Sequence, residues 1–205
     1  MKRILLIALA IFCTAAWLAP PVLAGDDHDH AMAEGGEDAM MAKWMEMATP
    51  GPHHEAMAKG VGKWTTESTW WMTPDAEPMM TTGTASQELV LGGRYLVETF
   101  SGTMMGMPFE GHGMWGFDNA SGKHMGIWTD NMSTTMMYSE GECEDHCNKI
   151  TLIGTYVDGM TGAMKTMKVV SEMIDDDHAS VTMYDVAEDG TEFKNGKIMY
   201  TRVKS

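Results

Sequence analysis

Residues 81–101 read TTGTASQELVLGGRYLVETFS, two strand-length runs meeting at Gly92-Gly93. β-Branched and aromatic residues favour extended backbone, and a glycine pair between two such runs supplies the positive φ of a tight hairpin turn. The same pattern continues in both directions. Ten runs are predicted as strands, at about 63–72, 81–91, 93–101, 109–118, 123–130, 134–141, 149–157, 164–174, 178–185 and 195–203. Turn chemistry separates them, as at Asp118-Asn119-Ala120-Ser121-Gly122, Asp158-Gly159 and Asp189-Gly190. Few connections have room for a crossover helix, so neighbouring strands are antiparallel. Strands of this length suit closure, which also removes exposed edges. The expected fold is therefore all-β, a ten-stranded antiparallel up-and-down barrel with a short N-terminal helix. Apolar residues occur on both faces of several strands, which leaves the inward face unassigned.

The segments before the strands have a different character. Lys2 and Arg3 precede an apolar stretch from Ile4 to Leu18, and Val22-Leu23-Ala24 matches a small-x-small cleavage site. The stretch is shorter than the ~20 residues a spanning helix needs, so residues 1–24 read as a cleaved signal peptide. The expected protein is exported, periplasmic or secreted, with no membrane anchor after cleavage. That leader holds two of the 14 basic and none of the 29 acidic residues, which leaves a mature net charge of −17. Such a balance argues against nucleic acid as a partner. Residues 25–51 form an acidic tail without a continuous apolar face, expected to be largely disordered. A weak helical pattern runs from about Asp38 to Ala48, with Met40 and Trp44, and Met41 and Met45, four apart. The barrel domain is assigned to 52–205. It opens with a helix from His53 to Lys59, started by Pro52 and stopped by Gly60. Met57 and Val61 are expected to face inward, with the helix over one barrel mouth.

Gly62-Lys63-Trp64, directly after that helix, resembles the Gly-x-Trp motif of the calycin superfamily, the lipocalins and their relatives. The resemblance implies that Trp64 closes the barrel floor and that Arg202, on the last strand, covers its ring in a cation–π contact. A second set of motifs is more specific. Val90-Leu91-Gly92-Gly93-Arg94-Tyr95-Leu96 is followed by Met104-Met105-Gly106-Met107-Pro108-Phe109-Glu110-Gly111, then Gly116-Phe117-Asp118-Asn119 and Gly122-Lys123. Asp175-Asp176-Asp177-His178 and Tyr200-Thr201-Arg202 close the series. In this order, over about residues 52–203, they resemble a bacterial family catalogued as domain of unknown function 1579. That resemblance implies the barrel and supplies no mechanism. The Cys143/Cys147 pair and the acidic, histidine-bearing tail depart from the family.

Cys143 and Cys147 flank an expected hairpin tip, spaced Cys-Glu-Asp-His-Cys. In an oxidising compartment they read as a disulfide. The alternative is a metal site that adds His146, which needs a further ligand from elsewhere in the chain. Methionine is frequent, 24 of 205 residues. Thioethers suit Cu(I), and they also fill apolar positions as adaptable side chains. No cofactor is assigned; the alternative is copper or zinc, with His28, His30, Met104, Met105 and Met107 as further candidate ligands. His112, His124 and His178 lie in or beside strands, where an inward histidine could serve haem.

Catalytic motifs are missing. The chain has no Gly-x-Ser-x-Gly, no Walker loop and no His-Glu-x-x-His, and no catalytic residue is assigned. Glu98, His112 and Asp130 are polar residues that a barrel interior could bring together. Aromatic side chains on several strands indicate a pocket instead: Trp70, Phe109, Trp115, Trp128 and Tyr138 are its expected lining, and a small apolar or amphipathic molecule its expected ligand. The other readings are envelope metal binding and a filled barrel acting as a structural or interaction module.

Overall fold

A computed structural model describes residues 35–159 and 161–204. The predicted leader at 1–24 and the candidate ligands His28 and His30 lie outside the described residues. Among the described residues, ten strands form a closed antiparallel barrel in the order β1-β10-β9-β8-β7-β6-β5-β4-β3-β2. They are β1 Gly62–Trp70, β2 Met79–Val90, β3 Tyr95–Met104, β4 Met107–Asp118, β5 Lys123–Asp130, β6 Met137–Glu144, β7 Lys149–Val157, β8 Met164–Met173, β9 His178–Val186 and β10 Glu192–Arg202. Each strand pairs with its neighbours in the chain, and β1 closes on β10 from Trp64 opposite Arg202 to Trp70 opposite Gly196. The predicted architecture is the observed one.

Turn chemistry differs in detail. Between β2 and β3 the central turn residues are Leu91 and Gly92, at φ 50° and 68°, and the Gly93 N–H donates to the Val90 carbonyl at 3.1 Å. The turn thus sits one residue before the predicted glycine pair. Between β3 and β4 the chain turns in two residues, Met105 and Gly106, at φ 51° and 77°. Met104 and Met107 are therefore paired strand residues rather than loop residues.

Period-two alternation sets the interior. On β1, Trp64, Thr66 and Ser68 are buried while Lys63, Thr65 and Glu67 face out. A core of Trp64, Ala85, Phe100, Phe109, Ile198 and Tyr200 is buried between the two ends. On β4, Gly111 and Gly113 point inward, and a Cβ at either would fall inside the indole of Trp128 or Trp115. The absence of side chains there lets both indoles lie across the strand.

Two helices precede the barrel, α1 Gly35–Ala48 and α2 Pro52–Met57, and α2 continues into a 3₁₀ turn at Ala58–Gly60. Pro52 occupies the first turn of α2, and the Gly51 N–H donates to His54 Nδ1 at 3.1 Å. Met57 is buried, but Val61 is 38% exposed, contrary to expectation. Inward placement of both needs α-helical spacing through residue 61, and the 3₁₀ turn rotates Val61 away. Three barrel side chains hold this segment by its carbonyls. Arg94 donates to Ala48 O at 2.6 Å, and Asn119 to Met47 O and Thr49 O at 3.0 and 2.8 Å. Arg202 donates to Lys59 O and Val61 O, both at 2.6 Å. The helix is thereby fixed across one mouth of the barrel.

Candidate functional site

Among the described residues, two adjacent chambers lie in the barrel interior. The larger, about 290 Å³, lies toward the open end of the aromatic core and is lined by Trp70, Phe100, Met104, Phe109, Trp128 and Met183 among others. The smaller, about 150 Å³, lies beneath α2 against Met57, Gly60, Trp64, His124 and Cys147. Glu98, Trp115, Leu152 and Tyr200 border both and form a waist between them.

Four of the five aromatic residues expected at the pocket line the larger chamber: Trp70, Phe109, Trp115 and Trp128. Trp115 and Trp128 lie 6.4 Å apart between ring centroids, and Phe100 meets Phe109 edge to face at 5.8 Å. Tyr138 does not line the pocket. It is 46% exposed, and its hydroxyl donates to Glu140 Oε2 at 3.1 Å on the outer surface. Met137 and Ser139 on either side of it face the chamber, so strand alternation turns Tyr138 outward. Among the polar residues considered, Glu98 and Asp130 line the larger chamber. Asp130 Oδ2 accepts from Trp128 Nε1 at 3.0 Å. His112 is exposed, and so is His178, paired to Asp175.

Glu98 is a buried carboxyl of the interior, 4% exposed. Gln87 Nε2 donates to Oε2, and the Tyr200 hydroxyl to Oε1 at 3.4 Å. Burial pushes its carboxyl up to about 7, against the two hydrogen bonds, which favour the carboxylate. The same burial, with Glu98 alongside, pushes the Tyr200 hydroxyl well above its ordinary range. The waist therefore carries a carboxyl that is neutral in mildly acidic water.

At the covered mouth, Trp64 is 1% exposed and its Nε1 donates to Gly60 O at 2.9 Å. Arg202 Cζ stands 4.0 Å from the Trp64 ring centroid, the contact implied by the calycin resemblance. Nearby, Cys143 at the end of β6 and Cys147 lie at disulfide distance, with Cα atoms 4.8 Å apart. The predicted partner His146 is exposed and is not among the donors gathered there. His53 and His124 stand in its place. His53 Nδ1 is 3.5 Å from Cys143 Sγ, 3.2 Å from Cys147 Sγ and 3.1 Å from His124 Nε2. His124 is the second residue of β5, with its side chain inward, and desolvation first, then His53 and His54, push its imidazole down to about 4. His53 was not legible as a site residue, because it comes from α2 and reaches the cysteines 90 positions away only in the fold. The other proposed soft ligands are elsewhere. Met104 lines the larger chamber, while Met105 and Met107 at the hairpin turn are 58% and 48% exposed.

A family model described as "Protein of unknown function (DUF1579)" matches residues 49–202. The chain belongs to this family. Its barrel is also that of two solved structures. Rv2717c from M. tuberculosis is 14% identical, with 76% of this chain and 100% of that chain covered at a TM-score of 0.55. The S-type phycobiliprotein lyase CPES from Guillardia theta is 9% identical, with 74% and 92% covered at a TM-score of 0.51. At these identities the likeness is one of fold. No curated protein matches the chain. Within the DUF1579 family match, the motif residues Arg94, Asn119 and Arg202 hold the backbone on either side of α2 by its carbonyls, which gives those motifs a physical role. Among the described residues no helix is long and apolar enough to cross a membrane.

Proposed function

We propose that this barrel binds one small, largely apolar molecule carrying a single polar group, in an exported protein. The observation that carries the reading is the larger chamber: about 290 Å³, walled by aromatic rings and thioethers, with the Glu98 carboxyl at its inner end. Small-molecule sites run from roughly 300 to 1,000 Å³ and combine apolar walls with few polar groups. The apolar body would lie against Phe100, Phe109 and Trp128, and the polar group would meet Glu98 and Tyr200 at the waist. The leader-like residues 1–24 support export.

The test uses N-phenyl-1-naphthylamine as a fluorescent probe. The purified protein is expected to bind one equivalent, with quenching of tryptophan emission from Trp115 and Trp128. Val169 on β8 also lines the larger chamber, and a Val169→Phe variant, which places a ring there, is expected to lose binding while keeping its circular dichroism spectrum. Absence of binding to the wild-type protein, or equal binding to the variant, would overturn the reading.

A further inference from the structure

We propose that His53, His124, Cys143 and Cys147 form a tetrahedral Zn²⁺ site at the covered mouth, present when the two cysteines are thiols and abolished when they join as a disulfide. This site is separate from the larger chamber and does not depend on the ligand reading.

The four donor atoms all lie within 4.8 Å of one another. Zinc bonds of about 2.0–2.1 Å to nitrogen and about 2.3 Å to sulfur put tetrahedral donors roughly 3.3–3.8 Å apart. The nitrogen–nitrogen separation of 3.1 Å, and nitrogen–sulfur separations of 3.2, 3.5 and 3.9 Å, are close to that geometry. To reach it the two sulfurs must part, and Cys143 Sγ must stand near His124, which lies with it inside the 4.8 Å span of the cluster. Two thiolates and two imidazoles are a donor set suited to a structural zinc ion, and the cysteine spacing of four falls within the usual range.

The surroundings orient the donors. The His53 ring stacks on Phe117 at 3.8 Å between centroids and 2° between planes. Phe117 is paired with His124 across β4 and β5. Groups that fix the planes of metal-bound imidazoles are a regular part of such sites. Cys147 ends a run of three non-glycine residues in left-handed backbone, Asp145, His146 and Cys147, at φ 50°, 52° and 61°. Such backbone is costly and persists where the surroundings over-determine it, commonly at ligand clamps. Here it returns Cys147 Sγ to the side of Cys143. The loop is also tied to the helix segment, since Lys59 Nζ donates to Asn148 Oδ1 at 2.8 Å. An ion at this point joins α2 to β5 and β6 and so clamps the helix on the mouth.

The redox step is thiol–disulfide exchange with an external dithiol. Two electrons pass to the cysteine sulfurs, two protons from the dithiol complete the Cys143 and Cys147 thiols, and the reductant leaves as its own disulfide. Zn²⁺ then displaces the two thiol protons. Re-formation of the bond by an oxidised dithiol partner returns the two electrons to that partner and releases Zn²⁺.

To test this, the purified full chain is reduced anaerobically with tris(2-carboxyethyl)phosphine, which takes an oxygen atom from water and leaves two thiols. After desalting it is titrated with Zn²⁺ and, separately, with Co²⁺. One equivalent of zinc is expected in native mass spectra, and cobalt is expected to show tetrahedral d–d bands with sulfur-to-metal charge transfer. The oxidised protein is expected to bind neither. His53→Ala and Cys147→Ser, checked for retained barrel structure by circular dichroism, are each expected to weaken zinc by more than the roughly 10–100-fold that loss of an outer-shell partner costs. Failure of the reduced protein to take one zinc would overturn the proposal. So would equal binding by the oxidised protein, or by His53→Ala and His124→Ala.

Discussion

The two ends of this barrel are built by different means. At the open end the interior finishes in rings and thioethers, Trp70, Phe109, Trp128 and Met104. Every one of these is placed by strand alternation, and Gly111 and Gly113 make room for the indoles. At the other end the interior finishes beneath α2, in two imidazoles and two sulfurs. There the side chains come from a helix, a strand start, a strand end and a left-handed loop. Alternation alone builds an apolar space with few directional demands. A polar cluster requires segments from far apart in the chain to be held in register by hydrogen bonds to backbone carbonyls.

The largest expected effect contrasts tryptophans from the two ends. Trp64→Ala removes a fully buried indole, its hydrogen bond to Gly60 and its cover by Arg202, and should cost about 3–5 kcal/mol in urea unfolding. Trp128→Ala should cost about half as much, on the order of 2 kcal/mol, because that indole already borders empty space. Equal costs would mean that the larger chamber is filled in solution, and the contrast between the ends would fail.

Next comes the waist. Glu98 titrates near 7 in the folded chain instead of about 4.5. Between those values the folded state holds a proton that the unfolded state has released, so stability falls as pH rises through the window. Glu98→Gln should remove that fall and stabilise the protein at pH 8 by on the order of 3 kcal/mol. His124 in the metal-free protein has the opposite sign. Its imidazole is held down to about 4, so stability is lost as pH falls below about 6.5. Urea midpoints across pH 4–8 should therefore show a steeper acid loss in Glu98→Gln than in the parent. Parallel profiles would show that Glu98 is not buried as described.

Arg202→Met keeps a flexible chain over Trp64 but loses the donors to Lys59, Val61 and Asp176 carbonyls. A loss of about 2 kcal/mol is expected, together with faster amide exchange in α2 and unchanged exchange in β4 and β5. Uniform acceleration over the whole barrel would show that the helix is not a separately held lid. The smallest effect is at Tyr138. Tyr138→Phe should change stability by less than about 0.5 kcal/mol and leave N-phenyl-1-naphthylamine affinity unchanged, since the ring faces water. Weakened probe binding would return Tyr138 to the pocket.

The barrel was legible because its rules are local. Two-residue alternation and turn glycines recur along residues 62–202, and a glycine pair between two strands needs no knowledge of the rest of the chain. The same locality explains the one-residue error at Gly92-Gly93, where Leu91 adopts a left-handed backbone that its side chain disfavours. It also explains Tyr138: a strand predicted three residues early at 134 gives no anchor for which residues point inward, and both faces carry apolar groups. Trp64 and Arg202 could be paired only through a resemblance, as they stand 138 positions apart.

By itself, the sequence determined the strand count, the antiparallel order, the helix before Trp64 and the aromatic supply of the interior. Each of these follows from periodicity, turn chemistry or composition within a short window. Only the tertiary structure decided the rest: that Glu98 sits unexposed at a waist, that Tyr138 faces out, and that His53 and His124, not His146, stand beside Cys143 and Cys147. Those outcomes depend on barrel closure and on the carbonyl contacts that seat α2. Both bring together residues tens of positions apart, and no local pattern in the chain records such distances.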